Sequence, residues 1–280
     1  MTEQAIHRET AEAARFRTGS ALSEWSQEVW ALAKRWFIEL GRERLNLVFS
    51  VAQPAIWLVF FGTGIGRAVD KGVIGTSDYT GFTLPGIVAF TVIGGGVSAA
   101  MPLMWDKEGG YLDKLMSMPI SRSSIIVSRF VYQFVLASAQ VAALVVVAII
   151  GGVHFEAGPL AVVVILLTAG LLSLAVTASF SALAYWVPGH GTFFAITGFI
   201  TMPLLFISNA FVPLEAMPRW MEIAARLNPL TYAIEAMRIP IVEGWDGDIL
   251  VSLAVLLAVG LACLAAGAQQ FNRQTGDRVK

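Results

Sequence analysis

The chain has 280 residues, of which 56% are hydrophobic and 14% charged, with 19 basic residues against 20 acidic ones. A soluble domain carries roughly 25% charge, and no soluble core of this size hides so much apolar surface; with a mean hydropathy of +0.68 the chain reads as an integral membrane protein. The near-neutral balance excludes a basic nucleic-acid binder, and the single cysteine, Cys263, excludes an intrachain disulfide or a cysteine-cluster metal site.

Residues 1–20 are polar and are expected to form a mobile cytoplasmic N-terminus. Glu3, Arg8, Glu9, Glu12, Arg15 and Arg17 occupy the place where a cleavable signal would be apolar, so the first span is expected to serve as its own targeting signal. Residues 21–44 read as an amphipathic helix, because Trp25, Val29, Leu32, Trp36 and Leu40 recur at steps of three and four. Its tryptophans suit the headgroup layer, which points to a helix in the cytoplasmic interface. The alternative is a helix packed on another protein domain.

Residues 45–270 are expected to form a single transmembrane domain of six helices, at about 46–66, 82–104, 125–152, 159–186, 192–211 and 249–269. Pro54 and Pro203 fall inside spans, where such prolines kink a helix without forbidding it. Gly94-Gly95-Gly96 in the second span permits close approach of a neighbouring helix or a break. Residues 212–248 differ from the other loops in length and in carrying Pro213, Pro218, Pro229 and Pro240. Short helices are predicted over 218–227 and about 230–239, a hairpin entering the outer leaflet between spans five and six (re-entrant segment 212–240). The alternative is a structured loop resting on the outer surface. Residues 271–280 form a cytoplasmic tail. With both ends inside, cytoplasmic segments carry fourteen Lys and Arg and external ones five, the asymmetry that orients membrane proteins.

The absences decide the mechanism class. Arg129 lies near the cytoplasmic start of the third span, where it can snorkel, and no Asp, Glu, Lys or His lies at mid-depth, which argues against ion coupling. Histidines 7, 154 and 190 are scattered, so no metal site is expected. There is no G-x-x-x-x-G-K-[ST] loop and no catalytic constellation, so the chain is not expected to be an enzyme. Uphill transport would need energy from a partner.

Two segments resemble a known family. The first, 105–130, holds Glu108, Gly109 or Gly110, Leu112, Leu115, Pro119, Ser121 and Arg122. The second, from Pro203 to Arg238, holds Pro213, Pro218, Trp220, Asn228, Pro229, Leu230, Tyr232 and Arg238. In these patterns the chain resembles the permease of ABC type-2 transporters, and most of all the daunorubicin-resistance-type drug exporter permeases. A departure is Gly110-Tyr111, where the family has Gly-Thr.

The resemblance implies a type-2 ABC exporter fold, a dimer with a second and identical permease, and two ABC ATPase subunits beneath it. ATP and Mg would be held by the ATPases, with no cofactor in this chain. It implies that loop 105–122 couples to the ATPase through Asp106, Glu108, Leu112, Leu115, Pro119 and Arg122. Helix 21–44 would be the family's connecting helix, with Glu28, Lys34, Arg35 and Glu39 as contacts. The external hairpin would close the outer mouth through Pro213, Trp220, Asn228, Pro229, Tyr232, Glu235 and Arg238. Glu235 and Arg238 are three apart on one helical face and can pair. Spans without fixed charge, but with Gln53, Trp57, Gln133, Phe199 and Phe206, suggest a pathway for an amphipathic drug-like or lipid-like molecule. A polysaccharide or lipid-linked glycan is the alternative cargo, and a non-transporting membrane scaffold the alternative class. The setting implied is a prokaryotic plasma membrane, with membrane lipid around the protein.

Overall fold

The computed structural model describes residues 21–42, 44–66, 78–110 and 122–277. Helix α1 is Ala21–Arg42, and α2 is Arg44–Phe60, continued by a π-helical turn Phe61–Ile65. Then follow α3 Tyr79–Glu108, α4 Arg122–Ile150, α5 Pro159–Trp186, α6 His190–Phe206, a 3-10 turn Leu214–Ala216, α7 Arg219–Leu227, α8 Pro229–Val242 and α9 Asp248–Asp277. All regular structure among the described residues is helical. Segments 1–20 and 111–121, the latter including Leu112, Leu115 and Pro119, lie outside the described residues.

Among the described residues, five helices are long and apolar enough to cross a membrane: Leu47–Gly64, Tyr79–Glu108, Val127–Ile150, Pro159–Trp186 and Asp248–Gly267. The sixth expected span, 192–211, is shorter. Helix α6 has 17 residues and ends at Phe206, about 25 Å at 1.5 Å per residue, the lower limit for a crossing. It stops because Asn228 takes its last carbonyls. Asn228 Nδ2 donates to Leu204 O at 2.7 Å and to Ile207 O at 3.0 Å. Helix α9 carries on to Asp277, through much of the expected tail.

Local chemistry sets the other ends. Asp78 caps α3, its Oδ1 accepting from Gly81 N at 3.0 Å. Gly110, at φ +68°, takes the left-handed conformation just after α3 ends. Pro159 occupies the first turn of α5, where no N–H is needed.

Helix α5 is the hub, packing against α3, α4, α8 and α9. Ala, Gly, Ser and Thr on it, such as Ala161, Ala169, Gly170, Ser173 and Thr177, allow close approach. Helices α2 and α6 lie at the periphery and leave large side chains uncovered, among them Val48, Phe49, Ile56 and Phe60 on α2 and Phe199 and Met202 on α6. Helix α1 packs along α4. Its apolar face is covered by α4, with Val29, Ala33 and Trp36 buried, while Trp30 and Ile38 remain exposed. The periodicity identified an apolar face; what covers it is a transmembrane helix of the same chain.

Candidate functional site: a polar-walled cleft in the bundle

The cleft lies between α1, α2, α3 and α4, with Phe194 of α6 at its edge, and encloses about 490 Å³. Gly94 and Gly95 of α3 line it, while Gly96 turns to α5. A Cβ on Gly96 would lie 2.5 Å from Val176 Cγ1, so this glycine sets the approach of α3 to α5. A Cβ on Gly95 would lie 2.5 Å from Gln133 Nε2 and 3.9 Å from Gln140 Oε1. Gly94 faces open space within the cleft.

Gln133 and Gln140 are two turns apart on α4 and therefore share a face. They are 1% and 5% exposed, and Gln133 Nε2 and Gln140 Oε1 have no hydrogen-bond partner. The hydroxyl of Thr91 beside them is already closed, donating to Ile87 O at 2.7 Å. A buried unpaired polar atom costs about 1–3 kcal/mol. Two such atoms on one wall of one cleft give it a capacity to bind polar groups in otherwise apolar surroundings. Gln53 of α2 lines the same cleft, so two of the predicted pathway residues meet there. Gln140 was missed, although its seven-residue spacing from Gln133 is visible in the sequence.

The other pathway candidates lie elsewhere. Trp57 packs edge-on against Phe60, with ring centroids 5.9 Å apart, outside the cleft. Phe199 and Phe206 are 80% and 59% exposed on the outer face of α6. Aromaticity in a span does not say which way a ring points.

One end of the cleft is an ionic cluster. Arg129 Nη2 donates to Asp106 Oδ2 at 2.9 Å, and Arg35 Nη2 lies 3.7 Å from Asp106 Oδ1. Trp36 stacks beside both cations, 4.9 Å from Arg35 and 5.2 Å from Arg129. Asp106, expected in the loop 105–122, lies buried near the end of α3, which runs four residues past its predicted limit. Arg129 does not snorkel; it is buried and paired. The reason is shared: each charge lies within reach of the other once α3 and α4 are packed, and pairing offsets their burial.

Glu108 Oε1 sits 2.9 Å from His190 Nδ1, joining the end of α3 to the start of α6. Lys107 Nζ donates to Tyr185 O at 2.8 Å and Val187 O at 3.2 Å, holding the end of α5. Lys34 and Glu39 are exposed, and Glu28 and Arg35 are half-buried. Arg122 is the first residue of α4.

On the opposite side, α8 is packed among α3, α5 and α9, with Leu230, Ile234, Met237 and Ile241 buried. Asn228 caps it, Oδ1 accepting from Leu230 N at 3.0 Å, and Pro229 follows at its first turn. Tyr232 Oη donates to Arg226 O at 3.0 Å, binding α8 back to α7. Pro213 precedes the 3-10 turn, and Trp220 is exposed on α7.

The predicted pair of Glu235 with Arg238 does not form. Arg238 instead donates to Phe82 O at 3.2 Å and Asn209 O at 2.6 Å, its guanidinium 3.8 Å from the Phe82 ring. Backbone carbonyls at the ends of neighbouring elements compete better for its donors. Burial pushes the Glu235 carboxyl above its ordinary value, with nearby Arg238 and Arg226 opposing it.

Comparison with known proteins identifies the frame in which these features act. Residues 27–242 match the family model described as ABC-2 type transporter. The chain belongs to the ABC-2 type transporter family. It is 37% identical to ycf38 of Porphyra purpurea, named a transport permease, over 76% of this chain and 73% of the relative. It is 26% identical to the daunorubicin resistance ABC transporter permease protein DrrB1 of Streptomyces coeruleorubidus, over 79% and 77%. It is 27% identical to Nodulation protein J of Rhizobium leguminosarum bv. trifolii, over 71% and 74%. This ABC-2 permease is accordingly a non-catalytic, multi-pass membrane subunit of a transporter, and such permeases pair with ABC ATPase subunits.

Proposed function

We propose that this ABC-2 permease exports an amphipathic, drug-like or lipid-like molecule, driven by two ATPase subunits that hold the ATP and Mg. The carrying observation is the cleft. Unpartnered amides of Gln133 and Gln140 sit among apolar and aromatic walls that include Phe90 and Trp105. That mixture suits a cargo with an apolar body and a few polar groups. The drug-resistance name carried by DrrB1 agrees with this reading.

Six crossings, with α6 the shortest, put both termini in the cytoplasm, as the Lys and Arg asymmetry requires. In this reading α7 and α8 form the re-entrant hairpin of the outer leaflet, and segment 105–122 couples to the ATPase. A second, identical permease covers the exposed apolar side chains of α2 and α6. The setting is a prokaryotic plasma membrane.

The test is affinity purification of the tagged permease in mild detergent, followed by ATPase assays of the recovered complex in lipid. A stoichiometric ABC ATPase whose turnover rises with amphiphilic drugs or lipid analogues is the expected result. Stimulation by glycans alone would replace the cargo. Recovery of the permease without any ATPase would overturn the reading.

A further inference from the structure

Three buried polar atoms of α4 residues that line the cleft have no hydrogen-bond partner: Arg129 Nη1, Gln133 Nε2 and Gln140 Oε1. Their residues are 7%, 1% and 5% exposed. Positions 129, 133 and 140 follow the i, i+4, i+11 pattern of one helix face, with steps of about 6 Å and about 10 Å along the axis. The order has chemical meaning. Two N–H donors lie at the ionic end, one on a guanidinium, and an acceptor lies deeper.

Arg129 is held for this. Its Nη2 is engaged by Asp106 and its Cζ lies beside the Trp36 ring, while Nη1 has no hydrogen-bond partner. Arg35 and Arg129 both approach Asp106, so two cations stand at this floor of the cleft. Glu39 also lines the cleft, but it is exposed at the rim, where water and salt screen it. Gly95 leaves the space in which the Gln133 and Gln140 amides lie.

We propose that the cleft selects amphipathic molecules by an anionic, acceptor-rich head group, a phosphate or carboxylate, gripped by Arg129 and Gln133, while Gln140 accepts from a hydroxyl or amide N–H nearer mid-depth. The inference rests on the amphiphile-export reading and names the cargo's chemistry. An anion there receives a charge-assisted hydrogen bond that a neutral head group cannot match.

The test uses the permease–ATPase complex in nanodiscs of zwitterionic lipid and two fluorescent probes of equal chain length, an alkyl phosphate and an alkyl alcohol. The phosphate should bind at least about tenfold tighter, the scale of a hydrogen bond to a charged group. Arg129→Lys should reduce that preference. Because Arg129 also pairs with Asp106, the fold-safe variant is Gln133→Leu. It should lose about tenfold in phosphate affinity with its thermal transition unchanged or raised, since it removes an unpaired buried amide. Equal binding of both probes, or an unaltered preference in Gln133→Leu, would overturn the head-group assignment and leave amphiphile export standing. Binding of neither probe to the wild-type complex would bring down both.

Discussion

Arg129 of α4 donates to Asp106 of α3 across 2.9 Å, and both side chains are buried. The pair ties together the ends of two spans at the floor of the cleft, with Asp106 itself at the start of segment 105–122. Its placement makes it a structural tie as well as an electrostatic feature.

Asp106→Ala should destabilise the protein by about 3–5 kcal/mol, because it leaves the Arg129 cation buried without its carboxylate. Asp106→Leu combined with Arg129→Met should recover much of that loss. Thermal unfolding in detergent, followed by size-exclusion, reads both. Equal stability of the single variant and the wild type would remove the pair from the fold's support.

The glycine triplet should separate packing from passage. Gly96→Leu forces a side chain against Val176 and should cost about 1–3 kcal/mol. A Cβ on Gly94 meets nothing within 4 Å, so Gly94→Leu should leave the thermal transition intact. It fills the cleft, however, so drug- or lipid-stimulated ATPase activity of the complex should fall severalfold.

Asn228→Ala removes the cap of α8 and the donor for two carbonyls of α6 in one step. A loss of about 1–2 kcal/mol is expected from the cap. Hydrogen exchange should quicken at the start of α8 and in the last turn of α6, while α9 stays protected. Uniform protection across all three would contradict the linkage.

Arg238→Lys should be poorly tolerated for a geometric reason. The guanidinium serves Phe82 O and Asn209 O at once and lies on the Phe82 ring, and a lysine ammonium cannot copy that fork. We expect a lowered thermal transition and increased cysteine labelling at engineered positions around residue 209.

Glu108→Lys places a cation beside His190 and severs the link between α3 and α6. ATP hydrolysis should continue while transport in proteoliposomes falls, with normal membrane insertion. Unchanged coupling would take Glu108 out of the mechanism.

The membrane character, the boundaries of most helices and the family were legible in the sequence, because each depends on local properties. Apolar runs, proline and glycine positions, and the Asn228-Pro229 cap act over a few residues, and α5 begins and ends where its composition changes. Residues of the candidate site were legible only in part. Gln53 and Gln133 could be singled out as amides in apolar runs, but Trp57, Phe199 and Phe206 share that distinction with no common cleft.

The direction in which a side chain points was decided by tertiary structure alone. Whether Arg238 pairs with Glu235 or with the carbonyls near Phe82 depends on groups more than a hundred positions apart in the chain. The burial of Asp106 against Arg129, and the covering of α1 by α4, depend likewise on which helix faces meet. Periodicity identifies an apolar face; only packing supplies its partner, because hydrogen bonds and ion pairs need contact within a few ångströms.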